Sequence, residues 1–528
     1  MKLNKSIFLI LCLFATPLLL AAGGEMKVGA GYTFLDEMDN LSVYQGTSNL
    51  YEGFAFSVED FKYGFDNGVN LNGNFVNTSL KNRNLAFSAY KSGLFTMSAS
   101  HYRYRKIYSA DGSLFTKRER TNFKASVQPS DKFKLFGGYN IIEKDGITDY
   151  SYSPLQFDFT DTIGYTQFTY NVGATGFCEY GSVTAEIRNT VYQDDQSEGF
   201  LNDRTSDQFK LHFYTKIPDY DEYQVFGGYM QREDKMDSTT VELKTTNFWG
   251  GLRAYFKDQY MFTYRMIAAS TEDVDDNITT DNSYHTFAVQ KSFARDGGIR
   301  VGYELKSTED EFNKTSGNGF LINGWYQLDN SWFFKGKYSF ASSEVDDGTI
   351  LLSDVERSKH MISIQYVFPK YGNIVGKAEK KIKRYNDIAN VGTSLASSEA
   401  DYTKASLKLT LKEAKYGKLI FTNSYYLGKF ENLSDETSYE FSDHVISTTV
   451  IPRSFGQFTV AVNGTYYRSR RDVDVEKFNF NSTVMWDMLN DLSFEAKYSA
   501  YTYDDLMAVI DTYTANIVEI KFIKNLSF

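Results

Sequence analysis

Five histidines, His101, His212, His285, His360 and His444, are the side chains best suited to acid–base work near neutral pH, and they stand far apart in the chain. Asp443 and His444 are adjacent, but in an extended segment neighbouring side chains point to opposite faces. No nucleophile–base–acid triad can be assembled around them, so no enzyme is expected. Clustered carboxylates occur at Asp194-Asp195, Asp275-Asp276, Glu309-Asp310-Glu311 and Asp346-Asp347. Such clusters suit a hard cation like calcium, yet none has the D-x-[DN]-x-[DN]-G spacing of a calcium loop, and a solvated acidic surface is the better reading. The cysteines are Cys12 and Cys178 alone, which excludes a disulfide framework, a cysteine-rich zinc site and C-x-x-C-H haem attachment. The chain is expected to bind no cofactor of its own.

The remaining chemistry lies in charge at alternate positions. In 331–340, Trp332, Phe334, Gly336, Tyr338 and Phe340 alternate with Ser331, Lys335, Lys337 and Ser339. In 404–412, Ala405, Leu407, Leu409 and Leu411 alternate with Lys404, Ser406, Lys408, Thr410 and Lys412. The segment 491–500 sets Leu492, Phe494, Ala496, Tyr498 and Ala500 against Asp491, Ser493, Glu495, Lys497 and Ser499. In 132–141, Phe133, Leu135, Gly137, Tyr139 and Ile141 form the apolar set, with Lys132 and Lys134 between them. Period 2 places each set on one face of a strand, whereas a helix would scatter it. Lys132, Lys134, Lys335, Lys337, Lys404, Lys408 and Lys497 are therefore expected on the polar face.

The elements that must carry these residues are long strands. Runs of about 10 to 15 residues exceed the ordinary 5 or 6 of globular strands but fit a tilted strand crossing a bilayer. Tight turns at Ser92-Gly93, Pro129 to Asp131, Pro218-Asp219, Asp258, Asp296-Gly297, Asp329-Asn330, Tyr371-Gly372, Tyr416-Gly417, Ser454 to Gly456 and Asn490-Asp491 alternate with longer polar stretches at 144–160, 193–204, 273–281, 345–356 and 387–399. Short turns on one side and long loops on the other are the pattern of an outer-membrane barrel, with the long loops outside. The turn spacing gives a repeat of about 39 residues, hence about 13 hairpins and 26 strands. A propeller repeats at a similar length, but its four-strand subdivision and G-H and W-D signatures are missing. The fold class expected is all-β: one transmembrane antiparallel up-and-down barrel of about 26 strands with no plug domain.

Composition agrees. The chain of 528 residues has 43 Phe and 40 Tyr, suited to aromatic girdles, and only 6 Pro. Its net charge of −11 argues against a nucleic-acid partner. Mean hydropathy is −0.41, and after the first residues no apolar run is long enough for a transmembrane helix. At the start, Lys2 and Lys5 precede the apolar run Ile7 to Leu20 and the small pair Ala21-Ala22, which reads as a signal peptide over 1–22, leaving 23–528 as the barrel. Alternation begins at once with Met26, Val28, Ala30, Tyr32 and Phe34, leaving no residues for an N-terminal plug. At the other end Val518, Ile520, Phe522, Leu526 and Phe528 share a face, and Phe522, Leu526 and Phe528 resemble the signal read by the barrel-assembly machinery of bacteria. The expected location is the bacterial outer membrane, with its lipid as the surrounding partner.

A wall of 26 strands has a circumference of roughly 160 Å and a diameter of about 50 Å, a lumen too wide to be filled by its own side chains. This architecture and the aromatic–basic tract His101-Tyr-Arg-Tyr-Arg-Lys-Ile-Tyr-Ser-Ala-Asp-Gly-Ser-Leu-Phe115 resemble the MtrB/PioB family of outer-membrane barrels. The resemblance implies a porin-like sheath around a periplasmic multihaem c-type cytochrome, with haem carried only by that partner, and an extracellular cytochrome as a further partner. The alternative is an outer-membrane channel for ions or small solutes; a lipopolysaccharide translocon ranks lower, since the added periplasmic domain of that family has no counterpart.

Overall fold

The computed structural model describes residues 24–39, 51–107, 115–149, 160–194, 203–236, 241–257, 259–293, 296–347, 350–387, 397–413, 417–433, 437–472, 474–488, 491–507 and 512–527. Residues 1–22, expected as a signal peptide, with Cys12, the tract residues 108–114, Asp195, the turn residues Asp258, Tyr416 and Asn490, the middle parts of the expected loops 144–160, 193–204 and 387–399, and the terminal Phe528 lie outside them. The strands are β1 (Gly24–Asp39), β2 (Gly53–Gly64), β3 (Val69–Val76), β4 (Asn84–Lys91), β5 (Phe95–Ile107), β6 (Phe115–Ser130), β7 (Phe133–Asp149), β8 (Thr160–Cys178) and β9 (Gly181–Asp194). There follow β10 (Arg204–Ile217), β11 (Tyr220–Met236), β12 (Glu242–Phe256), β13 (Tyr260–Asp273), β14 (Ile278–Phe293), β15 (Gly297–Glu309), β16 (Lys314–Gln327), β17 (Trp332–Asp346) and β18 (Leu351–Phe368). The last are β19 (Gly372–Asp387), β20 (Ser398–Glu413), β21 (Gly417–Asn432), β22 (Thr437–Pro452), β23 (Phe458–Arg471), β24 (Val475–Asp487), β25 (Leu492–Asp505) and β26 (Tyr513–Ser527).

All belong to one 26-stranded sheet in which each strand pairs with its sequence neighbours. The sheet closes where β1 meets β26, antiparallel from Glu25↔Ser527 to Asp39↔Tyr513. Closure leaves no edge strand, so the strand backbones are hydrogen-bonded within the wall as a bilayer requires.

One face of the wall is apolar. On β17 the residues Trp332, Phe334, Gly336, Tyr338 and Phe340 stand beside Tyr366, Ile364, Ile362, His360 and Ser358 of β18. Ile362 is 63% exposed and Val172, on β8, 66% exposed, values that make sense only against lipid. From Trp332 to Phe340 the strand climbs roughly 20 Å at ~3.3 Å per residue and a tilt of ~40°, close to the ~25 Å apolar band of such barrels. Aromatic pairs mark the turn-side edge of this belt: Trp332 with Tyr366 at 4.6 Å, Phe458 with Trp486 at 5.6 Å and Phe494 with Phe522 at 5.0 Å between ring centroids.

The short turns fall at the same end of the wall as the starting end of β1. Pro129 sits at a register shift between Val127 and Ser130, and Pro452 is the last residue of β22, so neither removes a ladder hydrogen bond from a strand interior. Asp219 and Asp491 adopt left-handed φ of 63° and 58°, the conformation that tight hairpins demand. Two turns absent from the sequence expectation belong to the same rim: Phe65 to Gly68 between β2 and β3, and Glu179-Tyr180 between β8 and β9.

At the opposite end two of the expected long loops are shorter than the sequence suggests. The stretch 273–281 is a turn over 274–277, and of the stretch 345–356 the residues 345–346 belong to β17 and 351–356 to β18, because β13, β14, β17 and β18 continue through the acidic residues. The strands extend well beyond the apolar belt, and there the outer face turns polar. On the outer face above the belt, cross-strand ion pairs replace apolar contacts: Arg103–Glu119 at 3.0 Å, Lys380–Asp401 at 2.9 Å, Arg384–Glu399 at 3.0 Å and Arg468–Asp474 at 2.7 Å. Charges of this kind would be costly in hydrocarbon, so this collar of wall stands clear of it.

Candidate functional site: the inner wall

The face opposite the belt is the lumen side. Lys335 and Lys337 of β17 pair in register with Ser363 and Met361 of β18, between the outward Phe334, Gly336 and Tyr338. Lys404 and Lys408 of β20 lie opposite Glu379 and Val375 of β19. Lys134 lies opposite Thr175 of β8, which bonds Thr184 at 2.9 Å on the same face. Lys497 faces inward against Glu519 and makes a 2.8 Å ion pair with Glu495. Lys132 is set apart: it occupies the turn between β6 and β7, where its carbonyl accepts the Phe177 N–H at 2.8 Å, and so belongs to the rim. Phe522 and Leu526 lie on the outer face, opposite Ala30 and Met26 of β1.

Four strands gather most of this charge. Between Lys337 and Lys404, the carboxylate of Glu379 is only 7% exposed and is held by Lys359 at 3.2 Å, Lys377 at 3.0 Å and Lys381 at 3.1 Å. Lys381 lies over the ring of Tyr402 at 5.2 Å and Lys404 over Tyr426 at 4.5 Å, contacts that fix the direction of both ammonium groups. Sequence reading missed Glu379, Lys359, Lys377 and Lys381. The signal was hidden because Lys380 and Lys381 are adjacent and Lys383 follows after Ile382, with Lys380 turned to the outer collar and its partner Asp401, which blurs the alternation.

Near the closure the charges neutralise one another. Lys27 pairs with Asp60 at 2.6 Å, Lys62 with Glu25 at 2.6 Å, and Lys521 with Glu59. Elsewhere the wall carries aromatic side chains, but they lie flat. Trp249 covers Gly228, Phe226 covers Gly251 and Phe136 covers Gly173, so closely that a Cβ at any of these glycines would collide with the ring. A ring laid over a glycine of the next strand adds little relief, and the inner wall stays low. Toward the collar end, inward Tyr513 and Ala515 are fully buried and cluster with Val475 and Tyr503.

The histidines are dispersed. His444 bonds Asn423 on the outer face at 2.8 Å, whereas Asp443 takes the Ser469 hydroxyl on the inner face at 2.7 Å, so the adjacent pair is split as period 2 requires. His285 meets the Tyr264 hydroxyl at 3.0 Å and His101 the Thr121 hydroxyl at 2.9 Å. Among the described residues no group of His, Cys, Asp or Glu is arranged to hold a metal ion. Cys178 is exposed at the β8–β9 turn.

No protein-family model matches the chain and no curated protein matches it. Solved structures do. The FrpB iron transporter from Neisseria meningitidis, F5-1 variant, superposes with a TM-score of 0.53 at 11% identity over 96% of this chain and 83% of that one. The F3-3 variant gives 0.51 at 10% identity over 96% and 82%. The alcaligin outer-membrane receptor FauA from Bordetella pertussis gives 0.48 at 9% over 96% and 76%. This chain is a large outer-membrane-type β-barrel. At these identities the likeness concerns the fold alone.

Proposed function

We propose that the chain is exported by a signal peptide over 1–22, built into the bacterial outer membrane by the assembly machinery that reads Phe522, Leu526 and Phe528, and serves there as a porin-like sheath. In this reading it belongs with the MtrB/PioB family and surrounds a periplasmic multihaem c-type cytochrome, with an extracellular cytochrome at the collar end. Electrons cross the membrane along the guest's haems, insulated from lipid by the wall. The chain supplies no catalysis, and with Cys12 and Cys178 as its only cysteines the haem is the partner's.

The observation that carries the reading is a closed wall of 26 strands in which nearly every described residue is strand or turn. In this reading the chain has no plug domain, and a lumen about 50 Å across the backbone is occupied by another protein rather than left as water. The flat-lying aromatics support occupation, since a low wall admits a close-fitting guest. Purification of the native barrel in mild detergent tests it: a haem absorption band at constant ratio to the barrel is expected, and a haem-free barrel with nothing bound would refute it.

The second reading is a solute channel. It is favoured by the inward Lys335, Lys337 and Lys408, a lining that attracts anions. Steady ion current from the haem-free barrel, with no partner in native membranes, would decide for it.

A further inference from the structure

We propose that the arc of inner wall formed by β17, β18, β19 and β20 is the docking face for the lumen guest and takes a carboxylate-rich protein surface. The proposal rests on the sheath reading and adds where, and by what chemistry, the guest is held.

The whole chain carries a net charge of −11, yet this arc is basic. Among the described inward side chains of the four strands Glu379 is the single carboxylate, and it already has Lys359, Lys377 and Lys381 around it. Lys335, Lys337, Lys404 and Lys408 make no ion pair with any described carboxylate. At the closure, by contrast, Lys27, Lys62, Lys497 and Lys521 each have an acidic partner. The basic excess therefore does not extend to the closure, where the charges are balanced.

Spacing decides what kind of anion fits. In register, Lys335 is followed across the sheet by Ser363, Lys377 and Ser406, and Lys337 by Met361, Glu379 and Lys404. Cations on alternate strands stand roughly 10 Å apart, and those at alternate residues of one strand roughly 7 Å apart. A small anion needs donors converging within about 3 Å of its oxygens. A grid this open suits carboxylates distributed over a protein surface, each meeting one lysine.

The test compares two full-length variants with the native barrel. One reverses the arc (Lys335→Glu, Lys337→Glu, Lys404→Glu, Lys408→Glu); the other reverses four inward lysines elsewhere that belong to no expected site (Lys124→Glu, Lys144→Glu, Lys210→Glu, Lys306→Glu). Correct folding is judged by heat-modifiable electrophoretic mobility. Two readouts follow: haem absorbance retained per barrel on purification, and block of bilayer current through the stripped barrel by poly-L-glutamate added from the short-turn side. The arc variant should lose about tenfold or more in both readouts while the second variant stays within about twofold of native. Equal losses, or none, in the two variants would overturn the docking face and leave the sheath standing. A native barrel that carries no haem would overturn the sheath reading and the docking face with it.

Discussion

Replacing Glu379 with Gln isolates the electrostatic cost of the basic arc. The carboxylate is 7% exposed and lies 3.0 to 3.2 Å from three lysines whose side chains are 35%, 36% and 49% exposed. Without its charge, the three ammonium groups face one another across a neutral amide. Because they are partly solvated, a water-like dielectric is the appropriate one. The repulsions among the ammonium groups, ~0.7 kcal/mol for each pair at roughly 6 Å, are there with or without the carboxylate. What the substitution removes is three attractions of ~1 kcal/mol each in that dielectric, offset in part by the carboxylate's own desolvation cost, which leaves a loss of ~2 kcal/mol, about a thirtyfold shift in the folding equilibrium. The assay is urea titration of the barrel refolded into lipid vesicles, with the folded fraction read by electrophoretic mobility. A second change, Lys377→Met added to Glu379→Gln, removes two of the three repulsions and should restore about 1.3 kcal/mol. A loss below about 0.5 kcal/mol, or a double variant weaker than the single one, would refute this account of the cluster.

Other predictions test the wall's vertical placement and its relief. Ile362→Lys, in the middle of the apolar belt, should cost about 2 to 4 kcal/mol in the same titration, whereas Ser342→Lys on the outer face of β17 above the belt should cost less than about 1. Gly228→Val should drive the Trp249 ring off the wall and cost about 1 to 3 kcal/mol, with a shift in tryptophan fluorescence as the direct readout. An unchanged spectrum would mean that the ring does not lie on the glycine. Stripped of any guest, the barrel should conduct with a reversal potential of anion-preferring sign, and the arc charge reversal should flip it. Phe522→Ala should lower the heat-modifiable fraction in the outer membrane several-fold, while an unaffected yield would remove this residue from the assembly signal.

The belt and the number of strands were legible because lipid enforces alternation. Wherever the outer face meets hydrocarbon, as from Trp332 to Phe340, every second residue must be apolar, and the period reads directly. Above the belt that constraint vanishes. The acidic ends of β13 and β17 therefore looked like loops, although their backbones continue in ladder to Asp273 and Asp346. Two turns, at Phe65 to Gly68 and Glu179-Tyr180, escaped the count, yet the repeat length still led to 26 strands because it averages over hairpins.

The inner face divides in the same way. That Lys335, Lys337, Lys404 and Lys408 oppose the lipid side follows from alternation alone, since a strand has only two faces. That they border one arc around Glu379, while Lys497 and Lys521 are neutralised at the closure, depends on which strands are neighbours and in what register. The 2-residue period specifies a side of the wall and says nothing of what stands across it. Charges tens of residues apart along the chain become neighbours only when hydrogen bonding fixes the register and β1 pairs with β26. Only the closed sheet determines where the lumen is basic and where it is balanced.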